Sequence, residues 1–272
     1  MMKRYYKHSP KKLLAVVFGV MISVSTCLAS GPHLATLIKK DGGGHASGKV
    51  RYLASSKVYE IYMKNGRQQI AASKVARVVL KTQPAGLRPA IDNVKRGNYD
   101  AAIAPLKKII TDYEMFGVDV IAAQYLAEAY LKKGNSKESV RLCKEILVGN
   151  PDAINNPQFA GIYWDALLQE KKYSTLKRIL KTTIENGTHQ AAAVALVKRG
   201  DVLMAQKDAK AALLDGYLRT ILMFQDVKAI QPEALYKAIK AHESVGEHQY
   251  AEKWRKRLLT GYSSSSYAKK LQ

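Results

Sequence analysis

The most reactive side chains in this sequence are two cysteines and six histidines, and their spacing decides whether they could build a site. His242, Glu243 and His248 are close in sequence, but they flank a predicted turn at Gly246. They therefore lack the i, i+4 spacing with which one helix face holds a metal ion. We expect them to be surface side chains. Cys143 lies in a strongly helical, amphipathic stretch, which indicates a buried thiol rather than a nucleophile.

The remaining motifs that carry chemistry are also incomplete. The run Gly42-Gly43-Gly44 lacks the Lys-Ser/Thr pair and the helix that follow a phosphate-binding glycine loop. The sequence contains neither a G-x-S-x-G nucleophile elbow nor an H-E-x-x-H zinc helix. We therefore expect no catalytic residues, no cofactor and no metal, and predict that the protein is not an enzyme.

The N-terminus has the pattern of a bacterial export signal. A cationic stretch, 1–12, precedes an uncharged apolar stretch that ends with Cys27-Leu28-Ala29, where small residues suit a cleavage site after Ala29. We predict a signal peptide over 1–29 and an exported protein, periplasmic or associated with the cell envelope. Two alternatives stay open: lipidation at Cys27, for which Thr26 is a poor preceding residue, and an uncleaved membrane anchor. Removal of the leader would leave one thiol and no internal disulfide.

The charge balance of the 272-residue chain is strongly basic, with 44 Lys+Arg against 22 Asp+Glu and a formal net charge of +22. Such an excess favours contact with anionic surfaces, but Coulomb attraction does not distinguish nucleic acid from acidic lipid, wall polymer or an acidic protein.

Residues 34–81 predict a small β domain of about five strands. The predicted strands are 35–39, 49–53, 58–63, 68–71 and 76–80. Asn65-Gly66 predicts a tight hairpin, because both central positions of such a turn need positive φ. Five short strands within about 50 residues suit a strongly bent barrel, since an open sheet would leave its edges unpaired. The layout resembles the SH3-like and Sm-like small barrels.

The β segment also carries many lysines and arginines together with Tyr52, Tyr59 and Tyr62. Basic and aromatic residues together could stack on nucleic-acid bases. The other interpretation places the tyrosines in the core and the cations in solvent. An alternative function is therefore a nucleic-acid-binding protein that uses the basic barrel, although export argues against a nucleic-acid partner.

After a linker over 82–88, residues 89–272 predict about five helix pairs. Similar turns recur 36 to 39 residues apart, at Gly97, Gly134, Lys171, Lys207 and Gly246. A fixed period of this length is typical of solenoids, in which each helix pair buries its apolar face against the next pair.

The second of these units resembles the tetratricopeptide repeat. Leu126-Ala127 and Tyr130 stand at the large, small and aromatic positions of the first helix; Gly134 makes the turn, Ser139 is the small residue of the second helix, and Pro151 closes the unit. The resemblance implies a mainly α fold, a right-handed α-solenoid of tetratricopeptide-like helix pairs preceded by a small five-stranded β barrel. It also implies a scaffold that binds other proteins.

Repeats of this family bind partners along the surface that is lined by the first helix of each pair. Carried over residue by residue, the resemblance implies a protein-binding groove of mixed charge formed by Gln124, Glu128, Lys132, Asp165, Gln169, Asp201, Tyr236 and Lys240. The lysine and arginine clusters fall on the second helices instead. They are either solvated outer faces or a surface for an anionic partner such as lipid or wall polymer.

Overall fold

The computed structural model describes residues 31–40 and 42–272. The predicted signal peptide, its cleavage site after Ala29 and Cys27 lie outside the described residues.

Five antiparallel strands form one sheet at the N-terminal side, in the order β4-β3-β2-β1-β5. The strands are β1 (His33–Lys39), β2 (His45–Leu53), β3 (Val58–Met63), β4 (Gly66–Ala71) and β5 (Val75–Leu80). The predicted β3–β4 hairpin is confirmed, but Met63 pairs with Gly66, so the two turn residues are Lys64 and Asn65. Of the residues in this hairpin turn, Gly66 is the one with positive φ, at 129°.

The prediction of a closed barrel is wrong for the part of the chain that the structure describes. A 3-10 turn, Ala72–Lys74, carries the chain from β4 to β5, yet these two strands do not pair and remain the edges of the sheet. The helical part covers the inner face of the sheet and leaves these edges unpaired. Tyr59 on the inner face packs on Phe116, and its hydroxyl donates to the carbonyl oxygen of Met115 at 2.5 Å.

The rest of the chain is helical. The α-helices are α1 (Leu87–Lys95), α2 (Tyr99–Asp112), α3 (Val118–Lys132), α4 (Ser136–Gly149), α5 (Pro157–Gln169), α6 (Tyr173–Asn186), α7 (His189–Ala205), α8 (Ala209–Ala212), α9 (Leu218–Met223), α10 (Gln231–Ser244), α11 (His248–Gly261) and α12 (Ser266–Lys269). A 3-10 turn, Pro151–Asn155, precedes α5, and a π-helical segment, Leu213–Tyr217, joins α8 to α9 without a break.

All five predicted turns lie between paired helices, and they share one backbone geometry. Each turn residue has positive φ: 82° at Gly97, 79° at Gly134, 53° at Lys171, 64° at Lys207 and 78° at Gly246. In every turn the next amide reaches back five residues, as when Asn135 N–H donates to the carbonyl oxygen of Tyr130 at 2.8 Å. This is the Schellman ending, which requires a left-handed residue just after the helix. Glycine adopts that conformation freely, whereas lysine is strained in it.

The helix pairs stack in two layers. Each first helix contacts the first helices of neighbouring units, from α1 through α3, α5 and α7 to α10, and each second helix packs on the first helix that follows it. One apolar cluster runs from the sheet into α7, and a second cluster extends from α7 to α12. Across the described ranges, no helix is both long and apolar enough to cross a membrane.

Candidate protein-binding face

The eight predicted groove residues all lie on the layer of first helices. Gln124, Glu128 and Lys132 are on α3, and Asp165 and Gln169 are on α5. Asp201 is on α7, and Tyr236 and Lys240 are on α10. We call the surface that carries these residues the first-helix face. Its two halves differ in what their side chains contact.

In the C-terminal half, charged side chains neutralise one another across three first helices. Lys198 Nζ lies 2.5 Å from Asp165 Oδ1 and 3.5 Å from Asp201 Oδ2. Lys237 Nζ lies 2.6 Å from Asp201 Oδ2 and also 2.6 Å from Glu233 Oε1. We call these five residues the charge ladder. It joins α5, α7 and α10, so two of the predicted groove residues are committed to contacts within the protein.

The ladder is largely removed from water at its centre. The side chains of Lys198 and Asp201 are 14% and 12% exposed, whereas Asp165 is 39% exposed. Burial alone would lower the pKa of Lys198, but the carboxylates of Asp165 and Asp201 outweigh it, and the net shift is upward. Burial likewise opposes the charge of Glu233, but Lys237 and Lys198 hold its pKa below the usual range. The pairing therefore favours the charged forms of Lys198 and Glu233.

A close approach between α7 and the π-helical segment adds a hydroxyl to the ladder. A β-carbon on Gly200 would lie 2.4 Å from the ring of Tyr217, and one on Gly216 would lie 2.6 Å from the Cα of Gly200. Because both positions are glycine, the ring of Tyr217 lies across α7 and its hydroxyl donates to Asp201 Oδ1 at 3.0 Å. Segments of π-helix are rare and often mark functional positions.

The end of the first-helix face is covered by the C-terminal helix α12. Tyr236 contacts Tyr267 with ring centroids 5.7 Å apart, and Lys270 lies over both rings. Lys240 Nζ pairs with Glu243 at 2.9 Å. The predicted groove residues of α10 are therefore also engaged within the protein.

The N-terminal half of the first-helix face is different. Gln124, Glu128, Lys132 and Gln169 make no side-chain hydrogen bond or salt bridge to any other described residue. They are half-buried or exposed, and Ile121 beside them is 37% exposed. We call these five residues the open part of the face. Its amides, opposite charges and exposed apolar side chain could all contact an incoming protein segment.

Sequence reasoning missed Lys198, Glu233, Lys237 and Tyr267, although they hold the C-terminal half together. A signal was present for three of them, since Lys198 precedes Asp201 by three residues and Glu233 precedes Lys237 by four, which places each pair on one helix face. Tyr267 belongs to a short helix beyond the last predicted pair, and the repeat period does not predict a helix at that position.

Several cations of the second helices are paired locally. Arg141 bridges Glu138 and Glu145, Lys108 pairs with Asp112, and Arg255 pairs with Glu243 and Glu252. Others make no salt bridge within the described ranges: Lys107, Lys144, Lys177, Arg178, Lys253, Lys256 and Arg257. Lys177 and Lys181 of α6 and Arg199 of α7 line a cleft of about 240 Å³.

The tyrosines of the sheet are engaged internally, which favours the core interpretation over base stacking. Tyr52 and Tyr59 are buried. The hydroxyl of Tyr62 donates to Glu60, which also pairs with Arg51 at 2.6 Å and Arg67 at 3.1 Å. Glu60 therefore neutralises part of the basic sheet surface.

The expectation of surface histidines is wrong for His242, while His248 is exposed. The ring of His242 is buried because it bridges two helices: Trp254 Nε1 donates to its Nε2 at 3.3 Å, and its Nδ1–H donates to Glu247 at 2.7 Å.

The prediction for Cys143 is confirmed, since the thiol is fully buried and burial raises its pKa to about 12. Among residues 31–40 and 42–272, no group of His, Cys, Asp and Glu could hold a metal ion.

One buried acid at the junction of sheet and helices makes no salt bridge to any described residue. Asp119, at the start of α3, is 3% exposed; its Oδ2 accepts from Met115 N–H at 2.8 Å, while its Oδ1 has no hydrogen-bond partner. Burial raises the pKa of Asp119 to about 6, against the lowering effect of four backbone N–H groups.

No protein-family model matches the chain, and no curated protein matches it. Three solved structures show what the helical part is similar to. MamA (AMB-1) is 20% identical over 64% of this chain and 94% of its own, with a TM-score of 0.40. PilF of Pseudomonas aeruginosa is 16% identical over 69% and 95%, with a TM-score of 0.40.

The third structure is a putative kinesin light chain of Podospora anserina with nearly identical TPR-like repeats, 11% identical over 66% of this chain and 96% of its own. Its TM-score is 0.50, the highest of the three. Identities this low show the fold alone. Together with the five equivalent turns, this likeness shows that the helix pairs form a tetratricopeptide-like solenoid, as the sequence predicts.

Proposed function

We propose that this chain is an exported, non-enzymatic scaffold of the bacterial cell envelope that binds other proteins through the open part of its first-helix face. The observation that carries the proposal is the difference between the two halves of that face. The C-terminal half satisfies its own charges, whereas Gln124, Glu128 and Lys132 present polar groups to solvent beside an exposed Ile121. A binding surface needs polar groups that are free to make new contacts, with an apolar anchor among them.

The other parts of the proposal rest on sequence pattern. The cationic and apolar leader supports export. The order of the five strands and the 3-10 turn before the last strand support a relation between the sheet and SH3-like domains. Mature-protein sequencing tests export: a start at Ser30 supports cleavage and a blocked Cys27 supports lipidation. Recovery of an intact N-terminus in the cytosolic fraction would contradict export.

Site-specific photocrosslinking in the source cell tests the binding face. A benzoylphenylalanine replaces Gln124 or Glu128 in the open part, and Lys144 on the outer face of α4 serves as the matched exposed control. We expect the same crosslinked protein from both open-part positions and its absence from the control. Equal crosslinking of the same protein from all three positions would contradict the assignment of the open part as the binding surface.

We propose further that the unpaired cations of the second helices contact an anionic surface. Lys177 supports this, because it makes no salt bridge to a described residue and lines one cleft with two other cations, Lys181, which lies 3.9 Å from Glu185, and Arg199 of α7, which pairs with Asp215. Flotation with vesicles that contain anionic lipid is expected to retain the protein at low salt and to release it at high salt. The double change Lys177→Glu and Lys181→Glu should abolish retention, whereas retention that is unaffected by the double change would contradict this part.

A further inference from the structure

The strand β5 leaves one edge of the sheet open. It pairs with β1 on one side and, within the described residues, with no strand on the other. Lys81 N–H donates to the carbonyl oxygen of Leu34 at 2.9 Å, and hydrogen-bonded pairs alternate along an antiparallel ladder. Val79 therefore also directs its N–H and C=O toward β1, and Val78 and Leu80 direct theirs away from the sheet.

A cleft of about 430 Å³ runs beside this edge. One wall is the segment from Ser73 to Val78, and the opposite wall is the connection between α4 and α5, 149–153. Tyr59 and Met115 also line the cleft. The cleft is therefore bounded on one side by a strand edge, which is the geometry that an additional strand requires.

The charges of the cleft favour an acidic occupant. Lys40 and Arg77 line it together with one acid, Asp152. Arg77 makes no salt bridge to a described residue. Exposed edge strands invite pairing with any extended chain, and proteins usually limit this with bulges or charges. Here a register shift between Ile38 and Lys39 leaves Ala76 unpaired before Val75 pairs with Lys39. The regular part of the edge is therefore short, and a partner must be selected by its side chains.

We propose that β5 binds an extended, acidic segment of a partner protein, which adds to the sheet as a sixth strand. Backbone hydrogen bonds to Val78 and Leu80 would fix the register, and Lys40 and Arg77 would attract alternate carboxylates. This site is independent of the first-helix face, so either can fail without the other.

The test uses a fluorescein-labelled peptide of sequence TEVEVT and its basic counterpart TKVKVT as probes. We expect the acidic peptide to bind at least about tenfold more tightly than the basic one, a difference of about 1.4 kcal/mol. The double change Lys40→Glu and Arg77→Glu should weaken binding of the acidic peptide by at least about tenfold. The matched control Lys57→Glu and Lys64→Glu, which alters exposed cations at turns beside β3, should change it less than about twofold. Equal binding of the two peptides, or equal loss in both double variants, would overturn the proposal.

Amide hydrogen exchange provides the reading that is specific to strand addition. Saturation with the acidic peptide should slow exchange at Val78 and Leu80 by about tenfold or more and leave Val79, already bonded to β1, unchanged. The variant Val78→Pro, which lacks the outward N–H, should lose peptide binding while it keeps the thermal transition of the wild type. Unchanged exchange at Val78 and Leu80 would show that no strand adds to this edge. A dimer that Val78→Pro dissociates would show that the edge pairs with a second copy of this chain, and would equally overturn the proposal.

Discussion

The two halves of the first-helix face are built from the same repeat but use their polar residues in opposite ways. In the C-terminal half, Lys198 and Lys237 tie three acids into a ladder that links successive first helices. In the N-terminal half, Lys132 is exposed and Gln124 is half-buried, and neither side chain pairs with a described residue. The nearby buried acid, Asp119, makes no salt bridge to a described residue. The repeat therefore sets which positions lie on the first-helix face. The residue type at each position then sets whether its side chain pairs within the protein or stays available for other contacts.

If the ladder is structural, removal of its central cation should have the largest effect on stability. The change Lys198→Met keeps the aliphatic stem but leaves Asp201 and Asp165 without this cation. We expect a loss of about 2 to 3 kcal/mol in the free energy of unfolding, less than for a fully buried pair that loses one partner, because Asp201 keeps Lys237 and Asp165 is 39% exposed. Chemical denaturation measures this value.

The matched change in the N-terminal half is Lys132→Met, because Lys132 occupies an exposed position of the same helix layer. Surface substitutions of this kind usually change stability by less than about 0.5 kcal/mol. Similar losses in the two variants would show that the halves do not differ and that the ladder has no special role.

The two halves should also respond to pH in opposite directions. The folded pKa of Asp119, about 6, lies above its ordinary value of 3.8, so its contribution to stability is present below pH 4 and is lost as the pH rises through 6. The shift corresponds to about 3 kcal/mol at neutral pH. The change Asp119→Asn should therefore stabilise the protein near pH 7 by about 2 kcal/mol, since the new amide must also be buried, and the gain should vanish near pH 4. The neighbouring groups Tyr59 and Glu114 are present in both the wild type and Asp119→Asn. The difference in unfolding free energy between these two proteins therefore reports on Asp119.

Glu233 provides the contrast in the C-terminal half. Its folded pKa is lowered, so its contribution is present above an ordinary value of 4.5 and is lost as the pH falls below that value. The change Glu233→Gln should destabilise the protein at pH 7 and have little effect in strong acid. Urea unfolding of both variants and the wild type from about pH 2 to pH 8 checks this pair, and parallel pH profiles for the two variants would refute it.

Local chemistry explains what the sequence could predict. The strand β3 was predicted with its observed bounds because Val, Ile and Tyr alternate there before a turn, and the five turn positions followed from one recurring period. The first-helix positions of the groove followed from the same alignment.

Long-range packing explains what the sequence could not predict. The packing of the sheet on the helical part depends on contacts with residues more than 50 positions away, such as the hydrogen bond between Tyr59 and Met115. The π-helical segment depends on two glycines, Gly200 and Gly216, that meet across different helices. His242 looked like a surface residue because its partner Trp254 lies on the following helix. None of these pairings leaves a periodic signal.

A prediction with smaller effects than Lys198→Met and Asp119→Asn tests whether the repeat itself is equivalent in both halves. Lys171 and Lys207 are exposed lysines at left-handed turn positions, one associated with each apolar cluster. Glycine relieves about 1 to 2 kcal/mol of backbone strain at such a position but increases the entropy of the unfolded chain. We expect Lys171→Gly and Lys207→Gly each to raise the free energy of unfolding by about 0.5 to 1 kcal/mol. Gly134→Ala, the reverse change, should lower it by about 1 kcal/mol. Equal gains in unfolding free energy at both lysines would show that turn strain is local to each unit. A gain at only one lysine would show that the two halves also differ in the backbone strain of their turns.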